Sequence, residues 1–315
     1  MSRSPLAPPP EAGVVAPAAA PAEAAPCGSC GQPHAGRYGP ACGERRLRPG
    51  DLTLRHFLAE SAEALTNLDG RLLGSLRALL TRPGELTAAY VGGRAGRYLR
   101  PLQLFLLCNV VFFFAQGIWP TDVLTTTLDS HLHFQPYSEW VHRLLLGGDH
   151  AATAAREASP EFQAYRTRFD TVAAQHARTL VIAMVPLFAL AVLATFLRSR
   201  RSFVEHVVFA THFVAFLLLL LTVVIPLLWA GIQGALALGL DVSAVYRPDD
   251  WQRFDRLLIL TLLGSVSAYL LLAARRVDRL GWLRGVLATA VLGLGGVAML
   301  GTYRLLLSFT TYLLL

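Results

Sequence analysis

Apolar residues gather into five runs of about 17 to 23 positions, the length an α-helix needs to cross a bilayer core of ~30 Å at ~1.5 Å per residue. They run from about Leu102 to Ile118, Thr179 to Leu197, Val207 to Trp229, Leu257 to Ala274 and Leu283 to Tyr303. Pro186 and Pro226 lie inside the second and third, which is tolerated where neighbouring helices satisfy the freed carbonyls. Trp119 follows the first as an interfacial anchor. Ahead of these runs the pattern is helical but amphipathic. Leu54, Phe57, Leu58, Ala62 and Leu65 form one stripe, and Leu72, Leu73, Leu76, Leu79 and Leu80 a second. Asn67 to Gly70 is a turn between them, and Arg82-Pro83-Gly84 ends the second. Both segments carry too much charge to span and suit the membrane surface or the underside of the bundle.

The expected fold is therefore all-α and membrane-integral, with about five transmembrane helices. Residues 1–26 read as a disordered Pro/Ala-rich tail, 27–43 as a zinc-ribbon-like cysteine knuckle and 44–100 as amphipathic helices. Residues 101–315 form the spanning domain, with an outer helical cap at 120–177. Helix-like patches such as Glu161–Ala177, and the aromatics Phe134, Tyr137 and Trp140, suggest the cap. Beyond Arg304 the stretch to Leu315 stays apolar, so the last helix is strongly tilted or the tail lies along the outer surface.

Composition agrees. Hydrophobic residues make up 54% and charged residues 16%, where a soluble chain carries roughly a quarter charged. All 28 cations are arginine, and their placement sets the orientation. The first hundred residues hold twelve, the connection Arg198–Arg201 three and the connection Arg275–Arg284 four. The alternate segments 120–177 and 231–256 hold seven against eleven acids. Short arginine-rich connections stay inside, which predicts a cytoplasmic N-terminus and an external C-terminus. Because the +7 charge is spread over these connections, the expected partner is the lipid bilayer and not nucleic acid.

Two constellations carry candidate chemistry. Cys27-x2-Cys30 followed by Cys42-Gly43 has the form of a zinc knuckle, since structural zinc takes four ligands from tight turns. Gly39 stands where a fourth cysteine would complete it. His34, a water or a partner protein could fill that position, or the knuckle is a polar turn without metal. The second is Glu205, His206 and His212 at the start of the third run, because ionisable groups at a membrane point to function. Glu205 and His212, seven apart, share one helical face, whereas His206 and His212 cannot chelate one ion from a single helix. That face relays protons, binds a cation with other helices, or hydrogen-bonds its neighbours. Asn109 and Gln116 in the first run share a face suited to interhelical hydrogen bonds, and Gly293, Gly295, Gly296 and Gly301 make the fifth run small-sided. His131 and His133 form a weak metal pair if extended, or a solvated pair.

The combination of CGSCG at 27–31, GRYGPACGE at 36–44, the Leu68-Asp69-Gly70 and Thr81-Arg82-Pro83-Gly84 turns, Gly93-Arg94 with Arg97-Tyr98 and Pro101, and Glu205-His206 with His212 resembles a bacterial membrane-protein family classed as a domain of unknown function. The resemblance implies a CxxC…CxxC knuckle, from which Gly39 departs, and a bacterial inner-membrane location. It implies no substrate. No nucleotide-binding loop, nucleophile elbow or paired catalytic carboxylates occur, so the expectation is a binding or scaffold protein with a possible cytoplasmic protein partner. The alternatives are a small-solute or ion transporter using Glu205 and His212, and a membrane-embedded enzyme acting on lipid.

Overall fold

The structure, a computed structural model, describes residues 25–27, 30–35, 38–39, 42–43, 71–118, 124–146, 156–197, 201–247 and 251–315. The tail before Ala25, the amphipathic helix expected from Asp51, the turn at Asn67 and the anchor Trp119 lie outside the described residues.

Two-residue strands β1 (Ala25–Pro26) and β2 (Pro33–His34) pair antiparallel around the first cysteines. Helices α1 (Leu72–Thr81) and α2 (Glu85–Val91) follow as a hairpin. Then come α3 (Pro101–Ile118), the short α4 (Leu128–His133) and α5 (Ser138–Leu146), and α6 (Pro160–Leu180). A 3-10 turn, Val181–Ala183, joins α6 to α7 (Met184–Thr195). Three long helices complete the chain: α8 (Phe203–Ala237), α9 (Trp251–Asp278) and α10 (Trp282–Leu314).

Five helical stretches are long and apolar enough to cross a membrane: Ala95–Ile118, Pro160–Thr195, Phe203–Ala237, Gln252–Asp278 and Trp282–Leu314. They match the five expected runs but are longer. Hydropathy marks only the part of a helix in contact with hydrocarbon, and the hydrogen-bonded backbone continues past it into polar sequence. Pro186 falls in the first turn of α7, just after the 3-10 turn, where its missing N–H leaves no helical bond unmade. Pro226 sits within α8, beside a cavity of about 20 Å³ lined by Gln116, Thr222 and Ile225, which has room for one water.

The central helix is α8, which packs against α3, α7, α9 and the α1–α2 hairpin. Its core is aromatic: the Phe188 and Phe213 rings stack at 4.2 Å, and Phe216 and Tyr269 at 4.0 Å. Helix α10 lies against α6, α7 and α9. A Cβ on Gly295 would come 2.4 Å from that of Ala191, so this glycine sets the approach of α10 to α7. Gly293 and Gly301 face open space instead; half of the small-sided stripe serves packing.

The bundle has two distinct ends. At one, the base, the α1–α2 hairpin meets the start of α8 and the end of α9. At the other, α4, α5 and the polar half of α6 build a cap with its own core of Leu128, Leu132, Val141, Phe169 and Ala173. The α6 start follows capping rules: Ser159 accepts from the Phe162 N–H at 3.2 Å, with Pro160 and Glu161 in the first turn. The stretch beyond Arg304 is a continuation of the last helix and not a separate tail. Helix α10 continues unbroken to Leu314, its Tyr303 hydroxyl donating to the Leu124 carbonyl at 3.1 Å, and Leu315 packs on the cap core.

Candidate functional site

The cysteine cluster is built from two similar turns. The Gly31 N–H donates to the Cys27 carbonyl at 2.9 Å, and the Gly43 N–H to the Gly39 carbonyl at 2.8 Å. Each closing glycine has a positive φ, 75° and 67°, a conformation that side chains resist. The first turn thus runs from Cys27 to Gly31 and the second from Gly39 to Gly43, so Gly39 occupies the place that Cys27 holds in the first. The Sγ atoms of Cys27, Cys30 and Cys42 lie within 4.8 Å of one another, with Cys27 and Cys42 at 3.4 Å. Thiolates on a tetrahedral zinc stand roughly 3.8 Å apart, given Zn–S bonds of ~2.3 Å. The three sulfurs are therefore close enough together to ligate one metal ion, and a tetrahedral ion would need a fourth ligand. None is in a disulfide. The backbone of His34 pairs with Ala25 across the small sheet.

Glu205 and His212 share a face of α8, and the structure gives them separate partners. Glu205 lies at the helix start, where its Oε1 accepts from the Ser202 backbone N–H at 3.3 Å in a capping box. Its Oε2 pairs with Arg201 at 3.1 Å. Arg201 also holds Asp278 at 2.7 Å and donates to the Val277 carbonyl, so it ties the start of α8 to the end of α9. Two turns deeper, the Nδ1 of His212 meets the Thr87 hydroxyl of α2 at 2.9 Å, both side chains being buried. His206 is buried on the adjoining face. Asn109 donates from Nδ2 to the Arg178 carbonyl at 3.2 Å, joining α3 to α6, while its Oδ1 is buried without a partner among the described residues.

Sequence reading missed the partners. Ser202-x-x-Glu205 carries a capping-box signature that was legible. Thr87 and Asp278 carried no signal, since they reach their partners only through packing. Ser75 was missed for the same reason: its buried hydroxyl accepts from the Leu99 N–H at 2.7 Å and donates to the Arg71 carbonyl at 3.0 Å. The α1–α2 turn docks on α9. Gly84 has φ 77°, and a Cβ there would lie 2.8 Å from the Cα of Ala273. Arg276 donates to the Pro83 carbonyl at 2.9 Å.

At the cap, the histidine expectation needs correcting. His131 and His133 lie on a helix and not on an extended strand, so they diverge. His131 is buried, its Nδ1 2.9 Å from the Tyr137 hydroxyl, while His133 pairs with Asp129 at the surface. Burial, with the nearby Arg304 guanidinium adding to it, pushes the His131 pKa down to about 4. Burial likewise pushes Tyr137 up to about 12.

These features define a polytopic α-helical membrane protein with a thiol cluster ahead of its spans. Residues 69–113 match a family described as a protein of unknown function, DUF3667. The matched segment comprises the α1–α2 hairpin and most of α3, the part of the chain that bears Ser75, Gly84, Thr87 and Asn109. No curated protein and no solved structure matches the chain.

Proposed function

We propose that this chain is a binding or scaffold protein of the bacterial inner membrane whose cysteine knuckle holds zinc through Cys27, Cys30 and Cys42. One observation carries the reading: three sulfurs within 4.8 Å of one another, on two turns closed by positive-φ glycines. Zinc bound there would cross-link the knuckle. The place of Gly39 would stay open for a ligand from His34 or from a partner protein. Such a knuckle presents a recognition surface on the same side as the hairpin.

The arginine count supports a cytoplasmic base and an external cap, because the connections Arg198–Arg201 and Arg275–Arg284 belong with the N-terminal side. Glu205 and His212 serve this reading as clamps. Glu205 is held by Ser202 and by Arg201, which reaches on to Asp278 of α9, and His212 meets Thr87 of α2; these partners support a positioning role over ion coupling. The double variant Cys27→Ser/Cys30→Ser is expected to insert at wild-type yield and to lose cross-linked complexes formed through the cytoplasmic segment. Unchanged complexes in that variant would sink the scaffold reading. Reporter fusions after Asp250 and Leu315 should report external, and fusions after Arg200 and Arg279 cytoplasmic.

A further inference from the structure

A groove of about 840 Å³ opens between α9 and α10, with Phe213 of α8 among its lining. It extends from Leu271 and Val286 near the base to Leu263 and Leu300. The fifteen residues from Val286 to Leu300 rise ~21 Å, somewhat more than one leaflet of a ~30 Å core. Its surface is almost wholly carbon; Thr289 turns its hydroxyl to the Gly285 carbonyl at 2.8 Å. Gly293 lines the groove, and a Cβ there would meet nothing within 4 Å. The space therefore suits a flexible hydrocarbon.

The base end of this groove is basic. Arg275 lies one turn beyond Leu271, half-buried, with its guanidinium 3.8 Å above the exposed Trp282 ring. Arg279 and Arg284 are exposed and have no ion pair among the described residues. The one carboxylate of this connection, Asp278, is held by Arg201, so it does not neutralise them. An interfacial tryptophan beside unpaired arginines, at the mouth of an apolar groove, is a headgroup environment.

We propose that the groove holds an acyl chain of an anionic phospholipid whose phosphate sits among Arg275, Arg279 and Arg284. The chain occupies the carbon-lined space, and the guanidiniums select the charged headgroup over a zwitterionic one. This site is separate from the cysteine knuckle.

The test uses the full chain, purified in detergent and stripped of lipid, then exposed to equal amounts of phosphatidylglycerol and phosphatidylcholine. Bound lipid per chain is read by mass spectrometry. Wild type should retain phosphatidylglycerol roughly tenfold or more over phosphatidylcholine, as about 1 kcal/mol per arginine implies. Arg279→Gln/Arg284→Gln should cut that preference to about fivefold or less, the share that Arg275 alone would keep. Gly293→Phe should lower both while eluting as wild type by size exclusion, since its side chain enters open space. Equal retention by wild type, or full retention by either variant, would overturn the site. So would a Val297→Cys cross-link between two copies, which would make the groove a dimer face.

Discussion

The Thr87 hydroxyl and the His212 imidazole meet at 2.9 Å across 125 residues of sequence, both closed off from solvent. Their contact joins the hairpin matched to the family to the helix at the centre of the bundle. Truncating either partner leaves a buried polar group unmatched, at a cost of about 1–3 kcal/mol. Thr87→Val should therefore lower thermal stability in detergent. The double variant with His212→Phe should be less destabilised than the sum of the two singles. Strict additivity would show that the contact carries no energy.

Gly84 predicts a larger effect. Alanine there meets both the positive φ of 77° and the Ala273 backbone, which cannot yield. Gly84→Ala should cost about 2–4 kcal/mol, whereas Gly74→Ala, whose Cβ meets nothing, should be neutral or slightly stabilising. Parallel melting curves of the two variants check this.

Arg201 holds two carboxylates, Glu205 and Asp278, at the junction of α8 and α9. Arg201→Gln leaves them facing each other half-shielded from water, and removing one member of such a group costs about 3–5 kcal/mol. Arg201→Gln/Asp278→Asn should recover much of the loss. Failure of the second change to help would mean that Arg201 acts through the Val277 carbonyl alone.

The legible part of this fold was the part written in periodicity. Long apolar runs gave the five spans, and the break at Arg82-Pro83-Gly84 gave the end of α1, which the structure caps at Arg82. What could not be read was how the elements meet. Glu205 and His212 were seen to share a face, but Arg201, Asp278 and Thr87, which engage them, come from other segments brought close only by packing. The course of α10 past Arg304 was ambiguous because hydropathy does not separate lipid from protein surroundings. The contacts of the buried Tyr303 and of Leu315 with the cap, which that helix reaches, are long-range. Gly39 was legible from spacing alone, since a turn repeats locally.

The cap should respond to acid. His131 has a folded pKa near 4, below an unfolded value of ~6.5, so above that pH both states are neutral and the cap is at full stability. As pH falls from ~6.5 towards 4 only the unfolded cap takes the proton, and stability drops by about 3 kcal/mol in all. Amide exchange in α4 and α6 should rise across that window. His131→Asn should flatten the dependence, and an unchanged slope would exclude His131 as the titrating group.

The proposed zinc site has three thiolates and a fourth position that belongs to another ligand. Zinc per chain in the detergent-purified protein, beside Cys42→Ser and Gly39→Cys, tests it most directly. One zinc per chain is predicted in wild type, substoichiometric zinc in Cys42→Ser because losing a thiolate ligand costs at least the ~10–100-fold in affinity that losing an outer-shell partner does, and one, more tightly held, in Gly39→Cys. Zinc in Gly39→Cys alone, with none in wild type, would contradict the account.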